Sequence, residues 1–320
     1  MKFSKDLIKL DADKTIGTMV DKLKEQVLVD LKRRGAVVGT SGGIDSAVTT
    51  ALCAKAFGPD NVIGILMPDK DNSPESVSLA IELAQKFGYK YIVKDLTAAL
   101  EGAECYKMRD DGFRQVFPEW SDGWKAKIVL PQNILESNRL NVYRLAIESP
   151  DGNKMEKRLP LKAYLQIVAA SNLKQRMRMA TVYYYAEANN YAVIGTANKN
   201  EYQQGFFVKY GDGGFDVGPI ANLYKTQVFQ LAKCLNVPEE IQKRTPSTET
   251  YPSEVSQAEF FFGLDFPTLD LLWLAKDNGF PAPEVASVMQ LTCEQVERVW
   301  ADIEQKRRTT EYLRMAPMGV

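Results

Sequence analysis

One segment limits the folds open to this chain of 320 residues more than any other. In "AVVGTSGGIDSAVTTAL", residues 36–52, an apolar run enters a Gly-rich, hydroxyl-bearing turn and leaves it as an apolar stretch of helical length. A buried strand that passes through glycines straight into a helix is the opening half of a strand–helix–strand crossover. The remainder follows in order: a helix over 46–57, a second strand "NVIGILM" at 61–67, a helix from about 74 to 87, and a third strand "YKYIVKDL". Strands alternating with helices predict a parallel sheet, because parallel neighbours need a long crossover and a helix supplies it. The expected class is α/β, with helices on both faces of the sheet.

Other segments attach to this core. Over 13–34, Ile16, Met19, Val20, Leu23, Val27 and Leu31 recur at spacings of three and four, which places one apolar stripe on a helix that packs on its own core or on a partner. From about 103 to 170 the alternation breaks. There "YRLAIESPDGNKMEKRLPL" has extended residues either side of a turn composition and reads as an inserted β-hairpin. The core resumes at 171 with the helix "NLKQRMRMATVYYYAEANN", the strand "YAVIGTAN", a Gly-rich loop over 209–214 and the helix "LYKTQVFQLAKCLNV". The expected organisation is an α/β domain over 1–250, carrying the insertion, and a helical C-terminal extension over 251–320.

Composition narrows the chemistry. The formal net charge of -1 gives no global pull toward nucleic acid, so a small-molecule substrate is the better expectation. No apolar run is long enough to cross a bilayer, and the charged opening "MKFSKDLIKLDADK" lacks a secretory core, which favours the cytoplasm. Cys53, Cys105, Cys234 and Cys293 have neither metal-like nor redox-pair spacing and read as reduced thiols. Histidine is absent altogether. Any catalysis therefore runs on carboxylates, Lys, Arg, hydroxyls or a bound metal.

The turn itself suits phosphate. A helix N-terminus presents unpaired N–H groups and a partial positive charge, Gly39, Gly42 and Gly43 allow close backbone approach, and Ser41 and Ser46 add hydroxyls. Neither the Walker turn nor the Gly-x-Gly-x-x-Gly spacing is present. Asp45 beside an anion site makes electrostatic sense with a cation between them, which points to Mg²⁺ on a polyphosphate. With that residue, "SGGIDS" resembles the pyrophosphate-binding loop, or PP-loop, of the ATP pyrophosphatase superfamily, whose fold is adenine nucleotide alpha hydrolase-like. The segments "NLKQRMRM", "VIGTANKNEYQQGFFVKYGDGGFDVGPIANLYKTQV" and "RTPSTET" are similar, in order and spacing, to the motifs of the ammonia-dependent NAD synthetase family. The similarity covers most of residues 35–250.

The resemblance assigns roles. ATP would be held by Gly39, Ser41, Gly42, Gly43, Asp45, Ser46, Thr196, Lys225 and Ser247. Asp45 and Glu201 would be the Mg²⁺ carboxylates, Lys225 would neutralise a phosphate in the transition state, and Asp212 would orient or deprotonate ammonium. The acceptor would be held by Asn172, Arg176, Tyr183, Phe206, Lys209 and Asp216. Taken singly, each has a plainer reading: Glu201 as a solvated loop acid, Lys225 as an exposed helix lysine, Thr196 and Ser247 as caps, Phe206 as core, Asp212 as a turn acid.

The implied reaction has two steps. A substrate carboxylate attacks the α-phosphorus of ATP to give an acyl-adenylate and pyrophosphate, and ammonia then expels AMP. Nicotinic acid adenine dinucleotide is the first acceptor to consider. A ligase for a different carboxylate, with the insertion reshaping the pocket, and a nucleotide-binding regulatory module without turnover are the alternatives. The resemblance further implies a homodimer, with nitrogen arriving as free ammonia or from a separate glutaminase.

Overall fold

The computed structural model describes residues 2–129, 134–135, 143–246, 256–257 and 261–319. Strands β1 (Ala36–Gly39), β2 (Val62–Leu66) and β3 (Lys90–Val93) are joined by α2 (Ile44–Phe57) and α3 (Pro74–Phe87), with α1 (Ala12–Lys24) ahead of them. The insertion contributes α4 (Thr97–Gly102), α5 (Cys105–Arg114), β4 (Lys125–Val129), β5 (Arg144–Glu148) and β6 (Lys154–Arg158). The core returns through α6 (Leu161–Asn189), β7 (Ala192–Ile194), α7 (Lys199–Gln204), α8 (Lys225–Cys234) and α9 (Glu239–Lys243). Last come α10 (Phe266–Asp277), α11 (Ala282–Met289), α12 (Cys293–Thr309) and α13 (Glu311–Arg314).

The parallel sheet has the order β3-β2-β1-β7. Side chains alternate across a strand, so β1 serves two cores at once. Ala36 and Val38 face α1, α2 and α8, whereas Val37 faces Val182 and Ala186 of α6. Helices on both faces follow from strands that are apolar on both sides. The expected helix over 13–34 ends as an α-helix at Lys24 and continues as a π-helical turn over Glu25–Asp30. Its stripe is spent on this core, since Ile16 and Leu23 of α1 and Val27 of that turn are buried there, and Leu31 beyond it is exposed.

The insertion is more than the expected hairpin. The β5–β6 pair forms where "SPDGN" turns, and β4 adds a third antiparallel strand with Lys125 opposite Glu148. Ala126, Ile128, Leu145 and Ile147 turn inward onto Phe113, Phe117 and Trp120, and the cluster closes on Ala163 and Ile167. Those two residues belong to α6, which begins at Leu161, well before the expected 171. At about 1.5 Å per residue this helix is a shaft of roughly 43 Å. Its first turns carry the insertion and its last turns carry the sheet.

The C-terminal helices build their own core around Leu272, Trp273, Val285, Val296 and Ile303, together with Phe3, Ile8 and Tyr224. All four cysteines are free thiols.

Gly112 of α5 lies against α6, where an added Cβ would come within 2.6 Å of Ile167 Cγ1. Gly112→Ala is expected to cost about 1–3 kcal/mol through overpacking. It would be read as a lower urea midpoint with an unchanged slope.

Candidate active site

Because β7 lies beside β1 on the side away from β2, the loops leaving β1 and β7 diverge at a topological switch point. Open α/β sheets bind ligands outside the carboxyl ends of their strands at such a point. A cavity of about 690 Å³ lies there, within the range of ligand pockets.

The floor is the Gly-rich turn. Gly42 has φ +75°, and an added Cβ would lie 2.4 Å from the Ser76 carbonyl oxygen, so only glycine fits against α3. Ser46 Oγ donates to the Gly43 carbonyl at 3.0 Å, and Ser41 Oγ accepts from the Gly43 N–H at 3.3 Å. Gly43 is the N-cap of α2 and offers no side-chain cap, which leaves the first N–H groups of the helix facing the cavity for an anion.

Above the turn stands a charged group. Lys225, the first residue of α8 and 1% exposed, donates through Nζ to Asp45 Oδ2. Asp45 Oδ1 accepts from Asn198 Nδ2 at 3.1 Å. Asn198 caps α7 in a reciprocal box with Glu201: the Glu201 N–H donates to Asn198 Oδ1 at 3.1 Å, and the Asn198 N–H to Glu201 Oε2 at 3.2 Å. Gln257 Nε2 donates to Glu201 Oε1 at 2.9 Å. Burial, then the charge of Asp45, pushes Glu201 up to about 8.

Asp270 of α10 holds this frame from behind. It accepts from the Thr226 N–H and Oγ1, both at 2.8 Å, and from Asn200 Nδ2 at 2.5 Å, while Asn200 Oδ1 accepts from the Lys225 N–H at 3.0 Å. Burial raises Asp270 to about 6.

Gly39, Ser41, Gly43, Asp45, Ser46, Asn172, Thr196, Glu201, Phe206, Asp212 and Lys225 all line the cavity, with Gly42 behind its wall. Asp212 accepts from the Val208 N–H at 2.8 Å, and the surrounding walls push it up to about 6 although water still reaches it. Ser247 falls outside the described residues. Arg176, Tyr183, Lys209 and Asp216 lie outside this lining. Arg176 Nε donates to the Lys209 carbonyl at 3.3 Å, and Lys209 Nζ donates to the carbonyls of Tyr312 and Met315 at 2.9 and 2.8 Å. Tyr183 Oη donates to Asp216 Oδ1 at 3.0 Å, and Asp216 Oδ2 accepts from the Val193 N–H at 2.8 Å. In these contacts the four residues tie α6, the Gly-rich loop and the C-terminal segment together.

Sequence reasoning missed several wall residues. Tyr143, Tyr164 and Val168 come from the insertion and the start of α6, and Lys306, Thr310 and Leu313 from the C-terminal helices. Asn198 was readable as the N-cap of the "NKNE" box. Arg178 lines the cavity in place of Arg176; two residues on a helix are about 200° apart, so only one of them can face it.

Comparison with known proteins decides the family. The family model for NAD synthase matches residues 15–115 and 131–317. The chain belongs to the NAD synthase family. An NH(3)-dependent NAD(+) synthetase of Mesorhizobium japonicum is 47% identical over 312 residues, covering 98% of each chain. One of Thermotoga maritima is 33% identical, covering 91% of this chain and 96% of that one. Solved structures with this fold include an NMN synthetase from Francisella tularensis (TM-score 0.65, 22% identity, 98% of this chain and 99% of that one). An NH3-dependent NAD synthetase from Campylobacter jejuni has a TM-score of 0.62 at 22% identity, over 97% of this chain and 100% of that one. At that identity the two structures speak for the fold alone. The family model leaves residues 116–130 unmatched, which includes all of β4.

A pH prediction follows from Asp270. Its folded value of about 6 lies above the ordinary 3.8, so the folded state binds the proton more tightly. Stability from this group is present below about 4 and is lost as pH rises to about 6. The unfolding free energy of wild type relative to Asp270→Asn should fall across that window in denaturant titrations, and a flat difference would contradict the assignment.

Proposed function

We propose that this chain amidates nicotinic acid adenine dinucleotide to NAD, with ATP as the activating substrate and ammonia as the nitrogen donor. The observation that carries the reading is the Asp45–Lys225–Glu201 group standing over a Gly-rich helix N-terminus. Close relatives named as NH(3)-dependent NAD(+) synthetases, matched over nearly their full length, support it.

In this reading the N-terminus of α2 and Ser41, Ser46 and Thr196 hold the ATP phosphates, joined by Ser247 from outside the described residues. Asp45 and Glu201 are hard oxygen donors facing one cavity, and burial first and the Asp45 charge second raise Glu201, both of which a bound divalent cation would offset. The donor set fits Mg²⁺, which when bound would neutralise charge on the phosphates. Lys225 moves from Asp45 onto a phosphate oxygen as charge builds on the leaving pyrophosphate. Fixed dipoles and charges position the reactants, and a chain without histidine needs no imidazole for this.

Asn172 and Phe206 contact the acceptor within the cavity, and Asp212, with its raised carboxyl, stands as the proton acceptor for ammonium. Arg176, Tyr183, Lys209 and Asp216 shape the acceptor site through the Gly-rich loop they pin. The outer side of α6 leaves Leu161, Leu165 and Tyr184 exposed, and a homodimer through that face completes the reading. Ammonia arrives free or from a separate glutaminase, in the cytoplasm. The division into an α/β domain over 1–250 and a helical extension over 251–320 is also proposed, on the apolar core that the last helices form with Phe3, Ile8 and Tyr224, distinct from the cores on the sheet. A second reading, a ligase for another carboxylate, is favoured by one observation: Tyr143, Tyr164 and Val168 bring the insertion region into the cavity wall.

Purified protein given ATP, Mg²⁺, ammonium and nicotinic acid adenine dinucleotide should yield NAD, AMP and pyrophosphate in equal amounts. Pyrophosphate and AMP appearing only with another acid would transfer the assignment to that acceptor. Lys225→Met should lower kcat by about 10²–10³. Asp45→Asn and Glu201→Gln should abolish AMP formation while the circular dichroism spectrum is retained.

A further inference from the structure

A row of charges runs through the protein from the insertion to the cavity. Asp110 accepts from Arg109 Nε at 2.9 Å, and Arg109 Nη1 donates to Asp71 Oδ2. Asp71 also accepts from Lys174 Nζ, and Lys174 reaches Asp69 Oδ1 at 3.1 Å. Asp69 Oδ2 accepts from Arg178 Nη2 at 2.6 Å. The signs alternate along all six residues. The side chains of Lys174 and Asp69 are 1% and 0% exposed, and those of Arg109 and Asp71 are 5% and 7%.

Each inner member of such a row has an opposite charge on both sides, whereas each end member has one on a single side. The negative end, Asp110, is partly exposed on α5, and the positive end, Arg178, lines the cavity. Burial by itself would raise Asp69, but Lys174 and Arg178 outweigh it and hold the carboxyl below its usual range. The guanidinium is also fixed in orientation. Nε donates to the Met67 carbonyl at 3.3 Å and Nη2 donates to Asn72 Oδ1 at 3.1 Å as well as to Asp69. Among the described residues, Nη1 has no protein acceptor.

We propose that Arg178 is an anion-binding residue of the active site, offering its Nη1 edge to a phosphate or carboxylate of a bound substrate, and that Asp69 and Lys174 are its positioning residues. The inference rests on the proposed ligase reading for the identity of the substrates. The oxyanion belongs either to ATP or to the acceptor. A planar fork locked on one edge by a buried carboxylate and an amide presents its other edge pre-organised, which an ammonium in its place would not do.

The test is calorimetric binding of MgATP and of nicotinic acid adenine dinucleotide, each alone, to wild type, R178Q, R178K and D69N, with kcat and KM for both substrates. R178Q should weaken one ligand by about 10- to 100-fold and leave the other within about twofold, and the ligand affected identifies the source of the anion. R178K should recover only part of the loss. The double variant R178Q/D69N should bind that ligand no more weakly than R178Q, because Asp69 acts through Arg178. Unchanged affinity for both ligands, or equal weakening of both with a lowered Tm, overturns the proposal. If R178Q does not fold, R178K is judged by the same criteria. If wild type makes no NAD and does not bind the dinucleotide, the acceptor assignment fails. Loss of MgATP affinity in R178Q would still uphold this inference in that case.

Discussion

The pair between Lys225 and Asp45 is the constraint around which the rest is arranged. A buried ammonium needs a counter-charge, and here it comes from the helix that follows β1, while the lysine begins the helix that follows the Gly-rich loop. Two crossovers far apart in sequence are therefore fixed against each other at the point where the sheet changes direction. Asn198, Asn200 and Asp270 secure the backbone on either side, so the charged atoms stand on helix termini rather than on loose loops.

α6 imposes the second level of order. It packs on the sheet through Val182 and Ala186 and on the inserted sheet through Ala163 and Ile167, without a break between. The insertion is thus bolted to the core rather than hung from a loop. Gln175 and Arg178 look into the cavity from the middle of this shaft, and Arg176, between them, looks out.

Much of this was legible in the residues. The strand–helix alternation of the core could be read because period two and period 3.6 leave different apolar patterns, and the Gly-rich turn into α2 because glycines and hydroxyls precede an apolar helix. β4 was missed although "KAKIV" begins with the polar–apolar alternation of a half-buried strand: it is only five residues long, and its partner β5 starts at Arg144, too far on for a short hairpin turn to mark the pair. The start of α6 was hidden by its nearness to the hairpin. Asp270 was missed because it lies in an apolar helix 70 residues from its partner Asn200, and only the fold brings them together. The acid in "TLDLLWL" was nevertheless a signal, since an acid buried among leucines must be paired. Arg176 was named by the resemblance and Arg178 was not considered, and no pattern in one sequence tells which of two arginines on opposite helix sides faces inward.

The meeting of Phe3 with Phe280, at 5.4 Å between ring centres, and of the Phe3 N–H with Glu284 has a bearing on synthesis. A chain emerging from the ribosome presents the sheet, Asp45 and Lys225 before α10 exists. Until Asp270 arrives, the first turn of α8 lacks its anchor, and until α10 and α11 arrive, Phe3 and Ile8 lack most of the cluster they pack in. A core that joins segments far apart in sequence is completed only once the later segment has been made. A nascent chain with its sheet already wound would therefore hold an unbraced cavity until α10 follows.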